Sequence, residues 1–555
     1  MVDRSQLQDR GGAISIHAGH RSGPTVSVDR LPFTETDLQA LAARGVSEKE
    51  AVRQLEMFRR PPTWAPLERP CTVGDGIRRL AECEHDALLQ AHREAADAGR
   101  FTKFVPASGA ATRMFRELLH YQCGPGREED WVGIEEQSRR PGADRAVTLI
   151  RFVSGLERFA FFPELERTLA TRGEDARALA RDGVFQPLLD ALLGSEGMDY
   201  DDLPKGRLSF HLDGDEARTP FEEHLVEAAR YVRWKDGTCR LSFTVSEEHR
   251  VEFAVLLERV GPGLAEQLDA LWDVGWSHQK PSTDTLAVDS DNNPVHDTDG
   301  RLVFRPGGHG ALIENIGDLD ADLIYIKNID NIQPEHAREA TVLWKKLLGG
   351  LLAQTEREAH RLVLALRGTA PNTAALADAE TFAREMLAIE VPEVARAGVQ
   401  GRRAFLARLL HRPLRVSGVV ANTGEPGGGP FWVRDANGDV RAQIVETTQV
   451  DPDDEQRQAI LRASTHFNPV DLVCAVRDVE GKLFDLSAYI DEDTAIVTAK
   501  SSAGRDIRAL ERPGLWNGAM AGWNTIFVEV PLSTFTPVKS VLDLLRPEHQ
   551  PPQTS

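Results

Sequence analysis

Between Phe304 and Asn331 the chain reads FRPGGHGALIENIGDLDADLIYIKNIDN, and this stretch narrows the folds open to it. The glycine-rich loop Pro306-Gly307-Gly308-His309-Gly310 leads into a short helical segment, Ala311 to Ile316, which Gly317-Asp318 breaks. Leu323-Ile324-Tyr325-Ile326 is a short, β-branched apolar run, the pattern of a buried strand. It delivers Asn328, Asp330 and Asn331 at its carboxyl end, where open α/β sheets bind their ligands. A carboxylate there, beside a loop whose backbone can approach phosphate closely, can hold Mg²⁺ and a nucleotide together. The structural alternative is a buried strand followed by a turn that merely contains Asp and Asn.

A second stretch, Phe101 to Met114 (FTKFVPASGAATRM), repeats the logic. A strand from Lys103 to Pro106 is expected to turn at Ser108-Gly109 and enter a helix near Ala111. Small residues through such a turn let backbone N–H groups face an anion, and Arg113 adds a fixed positive charge. The sequence is not a Walker loop, because G-x-x-x-x-G-K-[ST] is absent.

Charge and cysteine usage exclude several classes. With 65 basic and 86 acidic residues the formal charge is −21, which argues against a sequence-independent nucleic-acid binder. Five scattered cysteines without a C-x-x-C pair fit reduced thiols better than a disulfide framework. Neither a secretory h-region nor a run of about 18 apolar residues is present, so a cytoplasmic protein without a membrane span is expected.

The chain divides by texture. Residues 1–30 and 547–555 read as disordered tails, and 31–98 as an N-terminal helical region. Residues 99–345 read as the first part of an α/β core, interrupted by a helical insertion at about 124–197. Residues 346–410 read as a second helical insertion and 411–546 as the rest of the core. Within it Asn437-Gly438, between β-rich runs, signals a hairpin. Leu208 to His211 reads as a strand, and Thr219-Pro220 starts a helix through Tyr231.

Taken in order, the motifs resemble those of the UDP-sugar pyrophosphorylases, especially the UDP-N-acetylhexosamine pyrophosphorylases. Ser108-Gly109-Ala110-Ala111-Thr112-Arg113 is similar to that family's G-G-x-G-T-R signature, and Pro204-Lys205-Gly206 to its P-K-G. Ser277-His278-Gln279 resembles its uridine-contacting segment, Pro306 to Gly310 its P-x-G-N-G loop, and Ile329-Asp330-Asn331 its V-D-N metal strand. Ile444-Val445-Glu446-Thr447, Phe467-Asn468 and Phe535-Thr536-Pro537-Val538-Lys539-Ser540 are similar to its later motifs. The pattern also looks like that of a family of uncharacterised bacterial proteins with a domain of unknown function.

The resemblance implies a glycosyltransferase-A-like (Rossmann-like) mixed α/β sheet with helical insertions. It implies a Mg²⁺-dependent sugar-1-phosphate nucleotidyltransferase acting on a nucleoside triphosphate, UTP in that family, and a sugar 1-phosphate, with no nucleic-acid or membrane partner. Arg113, Lys205 and Lys539 would stabilise phosphates, and Asp330 would bind the metal. Ser108, Gly109, Thr112, Gln279, Gly308 and Gly310 would hold the nucleotide; His309, Glu446 and Asn468 would face the sugar. A nucleotide-sugar-dependent glycosyltransferase and a non-catalytic nucleotide- or sugar-binding protein are the alternatives. Ser108 and Ala111 replace signature glycines, the long segment between Arg113 and Lys205 has no counterpart, and His309 replaces an asparagine. That last change implies a differently substituted or more acidic sugar.

Overall fold

The computed structural model describes residues 33–60, 63–368, 373–392, 398–424, 427–435, 438–502 and 505–552. The segment 1–30 and Asn437 of the expected hairpin turn lie outside them. A nine-stranded sheet organises the rest. In chain order its strands are β1 (Thr72–Val73), β2 (Gly76–Arg78), β3 (Phe101–Pro106), β4 (Thr238–Thr244) and β5 (Leu271–Ser277). β6 (Leu323–Lys327), β7 (Leu414–Ala421), β8 (His466–Ala475) and β9 (Asn524–Glu529) complete it. Side by side the order is β1-β2-β9-β7-β8-β6-β3-β4-β5. Every neighbouring pair is parallel except those of β8, which runs antiparallel to both β6 and β7. The fold is thus α/β with a mixed sheet, and all strands but β8 end along one edge.

The two central strands show why the sheet is covered on both faces. FTKFVP and LIYIK are buried almost throughout, as parallel strands between two layers must be. Phe101, Val105, Leu323 and Tyr325 enter one core, shared with the helices Glu82–Asp97, Pro220–Tyr231 and Glu339–Arg367. Phe104, Ile324 and Ile326 enter another, with Leu312, Ile316, Leu515 and Trp523. Lys103 and Lys327 are buried on these strands, and Glu227 of the helix Pro220–Tyr231 accepts from both, at 2.9 and 2.7 Å.

Residues 124–197 are a helical segment, which begins at Trp131–Ser138 and Asp144–Ser154 and ends at Gln186–Leu193. Its apolar core does not stop at its own boundary. Phe152, Leu165 and Leu192 share it with Ile332, Val538, Val541 and Leu544.

Four expectations need correction. Residues 31–98 are not purely helical, because Leu67–Pro70, β1 and β2 lie among them. The boundary at 345/346 falls inside the helix Glu339–Arg367, which packs on the helix Glu82–Asp97 and on β7 and so belongs to the sheet's covering layer. The strand expected at Leu208 starts only at His211 (His211–Asp213), after a 3-10 turn at Lys205–Arg207. The tail is not disordered from Pro547: Pro547–His549 is a 3-10 turn, and buried His549 meets His211 nitrogen to nitrogen at 2.8 Å. A polar, proline-rich composition hid that pairing. No described helix is long and apolar enough to cross a membrane.

Two glycines let the long helix approach the sheet and its neighbour. A Cβ on Gly349 would lie 1.9 Å from the Tyr325 hydroxyl, and one on Gly350 1.9 Å from the Leu88 carbonyl. Tyr325 is fully buried and donates to the Lys345 carbonyl at 2.8 Å, so it cannot swing aside. Gly349→Ala should therefore destabilise by about 1–3 kcal/mol through overpacking, against a helix-propensity gain of about 1 kcal/mol. Urea unfolding tests this, and a variant more stable than wild type would contradict such a close approach.

Candidate active site

From β3 the chain proceeds to β4 on one side, whereas β6 arrives on the other. The gap beyond the carboxyl ends of β3 and β6 is therefore a topological switch point, the position at which such sheets bind ligands. Four segments are stitched together there by backbone hydrogen bonds. Gly109 accepts from the Lys205 N–H at 3.2 Å, and Ile329 donates to Pro106 at 3.3 Å. Val538 donates to the Asp330 carbonyl at 3.0 Å, and Val541 to that of Met114 at 3.2 Å.

These connections bring together three ionic side chains from distant parts of the chain. Lys205 Nζ lies 3.0 Å from Asp330 Oδ2 and also donates to the Val538 carbonyl at 2.9 Å. Lys539 Nζ approaches the same carboxylate, 3.0 Å from Oδ2 and 3.3 Å from Oδ1. Burial alone would push the Asp330 carboxyl up, but the Lys539 and Lys205 ammoniums outweigh it and hold the group below its usual range. Asp330 and Lys205 are buried, while the Lys539 side chain is 62% exposed. Two cations around one anion leave a net positive charge facing the crevice, which suits phosphate.

The neighbouring loop only partly follows expectation. Ser108, Gly109 and Ala110 are exposed, open to an incoming group. Ala111–Arg113 is a single 3-10 turn, and the helix begins only at Arg116 (Arg116–Gln122). Arg113 projects as an exposed side chain. The Thr112 hydroxyl donates to the Asp201 carbonyl at 3.0 Å, so it fastens the loop to the segment that follows the helical region and leads to Lys205.

Beyond β5, the Gln279 side chain holds a buried Nε2 with no hydrogen-bond partner among the described residues. A buried unpaired donor is costly, and a ligand acceptor would satisfy it. Gly308 adopts φ +77°, a conformation that favours glycine. Gly310 is glycine for packing: a Cβ there would lie 2.0 Å from the Pro513 carbonyl. The expected close approach of Gly310 to a ligand is thus an approach to protein backbone.

His309 is fixed from two sides. Its ring stacks on Trp516 with centroids 4.4 Å apart, and its Nδ1 accepts from the Leu515 N–H at 3.0 Å. The neutral ring then carries its proton on Nε2, which lies 3.8 Å from Glu446 Oε1. Burial holds this imidazole below its ordinary range despite the opposing pull of Glu511. Glu446 accepts from Asn517 at 3.2 Å, and burial, then Glu511, push its carboxyl up. Asn468 is buried, with its Oδ1 3.3 Å from the Ser417 hydroxyl. Phe467 beside it packs on Phe535, ring centroids 5.3 Å apart, which joins the expected sugar-side strand to the lysine segment.

Sequence reasoning missed Trp516, Asn517 and Asp543. The first two lie outside any motif, and no local signal marks them. Asp543 carried one: Ser540 with Asp543 three residues on has capping-box spacing.

The family model for a domain of unknown function, DUF4301, matches residues 34–550. The chain belongs to the DUF4301 family. No curated protein matches it. Among solved structures it is similar to the uridine diphosphate N-acetylglucosamine pyrophosphorylase from Trypanosoma brucei, at 12% identity and TM-score 0.47 over 92% of this chain and 79% of that one. It is also similar to the UDP-glucose pyrophosphorylase from Leishmania major, at 12% identity and TM-score 0.41 over 92% and 78%. A UDP-glucose phosphorylase from Trypanosoma brucei stands at 13%, 0.41, 92% and 77%. In this DUF4301 protein Lys205, Asp330 and Lys539 meet in one place; Gln279 follows the carboxyl end of β5 and Asn468 lies on β8, while His309 and Glu446 stand together beside Trp516 and Asn517.

Whether Mg²⁺ fits can be judged from Asp330. Mg²⁺ takes one or two carboxylates together with phosphate oxygens and waters. Oδ2 is held by two ammoniums, whereas Oδ1 receives only the 3.3 Å contact from Lys539. Because that lysine is mostly exposed, its movement would free Oδ1. The donor set fits an ion shared with a nucleotide's phosphates, with Asp330 as the protein ligand.

Proposed function

We propose that this protein is a sugar-1-phosphate nucleotidyltransferase that joins a nucleoside triphosphate, UTP by resemblance, to a sugar 1-phosphate. The supporting observation is the convergence of Lys205 and Lys539 on Asp330 at the switch point. In this reaction a phosphate oxygen of the sugar 1-phosphate attacks the α-phosphorus. The bond from that phosphorus to the bridging oxygen breaks, and pyrophosphate leaves with the electron pair. Such transfers depend on positioning and charge neutralisation. Lys205, locked to Asp330 and Val538, would supply a fixed cation; Lys539, on an exposed arm, would follow the phosphates; Arg113 would add a third. A bound Mg²⁺ would offset phosphate charge beside Asp330. The Gln279 amide would donate to a base carbonyl.

On the sugar side the surroundings favour a different substrate from the one His309 implied. A neutral imidazole with its Nε2–H toward Glu446, and a carboxyl already pushed up beside Glu511, disfavour a further carboxylate. A neutral or amino sugar 1-phosphate is the better fit, and a uronic acid 1-phosphate should be a poor substrate.

The test is pyrophosphate release from a panel of triphosphates and sugar 1-phosphates with Mg²⁺. Lys539→Ala should lower turnover on the order of 10²-fold, the scale of one preorganised charge contact. Undiminished turnover in the variant would remove Lys539 from the site, and a preferred uronic acid phosphate would overturn the sugar assignment. Transfer to an acceptor without pyrophosphate release would favour a glycosyltransferase.

A further inference from the structure

Lys539 is the most exposed of the three ionic groups, yet its backbone N–H is bonded to a buried carboxylate. Its N–H donates to Asp543 Oδ2 at 2.8 Å, and the next N–H, of Ser540, donates to the same oxygen at 2.7 Å. The Ser540 hydroxyl adds a third contact at 3.2 Å. Asp543 is buried, and its Oδ1 pairs with Arg546 at 2.8 Å. One carboxylate therefore collects the N–H of the phosphate-site lysine and that of its neighbour. Charge-assisted bonds of this kind are roughly twice as strong as neutral ones.

The residues around Asp543 are anchored independently of the sheet. Val541 and Leu544 lie in the core of the helical insertion. Leu545 packs so closely on Gly155 that a Cβ there would lie 2.8 Å from it. Beyond it, His549 is buried against His211, which meets Glu223 at 2.9 Å. Residues 536–549 thus form a strap with both ends fixed, and Asp543 ties down the point from which Lys539 departs. A cap serving only the turn Val541–Leu545 would need the Ser540 N–H; the bond to Lys539 lies one residue outside that turn.

We propose that Asp543 is a positioning residue for Lys539: its carboxylate fixes the backbone from which the ammonium reaches Asp330. The proposal rests on the nucleotidyltransferase reading only for its effect on turnover. The Lys539–Asp330 contact is a property of the free protein and can be followed alone.

The experiment uses the full chain as wild type, Asp543→Ala, Asp543→Asn, Lys539→Ala and the Asp543→Ala/Lys539→Ala double variant. Acylation of individual lysines by a small amine-reactive reagent is read by peptide mass spectrometry. Exposed Lys49 and buried Lys103 and Lys327 act as internal references. Labelling of Lys539 should rise severalfold in Asp543→Ala with the references unchanged, and Asp543→Asn, which keeps an acceptor oxygen, should restore part of the protection. If Lys103 and Lys327 also become reactive, Asp543→Ala has unfolded, and Asp543→Asn carries the comparison. Unchanged Lys539 labelling in a folded variant would overturn the proposal.

Turnover supplies the second arm, since a misplacement of about 1 Å can cost roughly 10²-fold. Asp543→Ala should lower kcat in an otherwise wild-type chain and add little once Lys539 is alanine. Losses that multiply in the double variant would mean that Asp543 acts without Lys539, which also overturns the proposal. Altered labelling in a protein with no nucleotidyl transfer would uphold the positioning role and reject the nucleotidyltransferase reading.

Discussion

Asp330→Asn should both silence the phosphate site and unsettle the fold. A strand-end carboxylate read from sequence alone suggests a change that leaves the fold intact. In the structure Asp330 is buried, and among the described residues it is the only carboxylate bonded to the likewise buried Lys205 ammonium. An amide in its place keeps an acceptor oxygen but removes the negative charge, leaving the buried ammonium uncompensated. Removing one member of a buried pair typically costs about 3–5 kcal/mol, and the variant should unfold at markedly lower urea. The pH dependence gives a second signature. The folded Asp330 carboxyl lies below its ordinary value because the lysines outweigh burial. Its stabilising effect is therefore present above the unfolded value of about 4 and lost as pH falls through the lower folded value. The gap between wild type and variant should be widest near neutrality and close in acid. A constant gap across that range would show that the carboxylate's charge is not what stabilises.

Glu227→Gln should have the largest effect on stability of any single change beneath the sheet. Glu227 is fully buried and serves Lys103 and Lys327 together. Burial pushes its carboxyl up, but the two ammoniums more than reverse this and hold it well down. Burial also pushes the Lys103 amine down, to about 7. Neutralising Glu227 strands two cations, at a cost of about 3–5 kcal/mol or more. The unfolded lysines titrate alike in both proteins, so the deficit should shrink as pH rises through the lowered folded lysine values, about 7 for Lys103. Urea melts at several pH values measure it. A deficit that grows in alkali would contradict the arrangement, and adding Lys103→Met should recover part of the loss.

The two central strands and the insertion were legible because their signals are local: apolar runs, glycine breaks and helical periodicity. Lys205, Asp330 and Lys539 were legible as motifs in order, although nothing in the sequence said that they touch. What stayed hidden depends on partners far along the chain. His549 sits in a polar, proline-rich stretch, and only His211 and Glu223 explain its burial. His309 could be read as a ligand-facing substitution, but Trp516 and Leu515, which orient it, follow about two hundred residues later. Gly310 belonged to a phosphate-type motif, yet the Pro513 carbonyl sets its requirement.

The position of β9 has a consequence for synthesis. This strand, Asn524–Glu529, lies between β2 and β7, so Arg79 meets Glu529 across a separation of 450 residues. At ribosomal speeds of about 5–20 residues per second, roughly 20–90 s pass between the two. Throughout that interval β2 has no seat, and from the completion of β7 at Ala421 until β9 is made β7 presents an unpaired edge, the kind of exposed strand surface that draws nascent chains into aggregates. Yield in a heterologous host should therefore depend on translation rate and chaperone supply more than on the stability of the finished molecule.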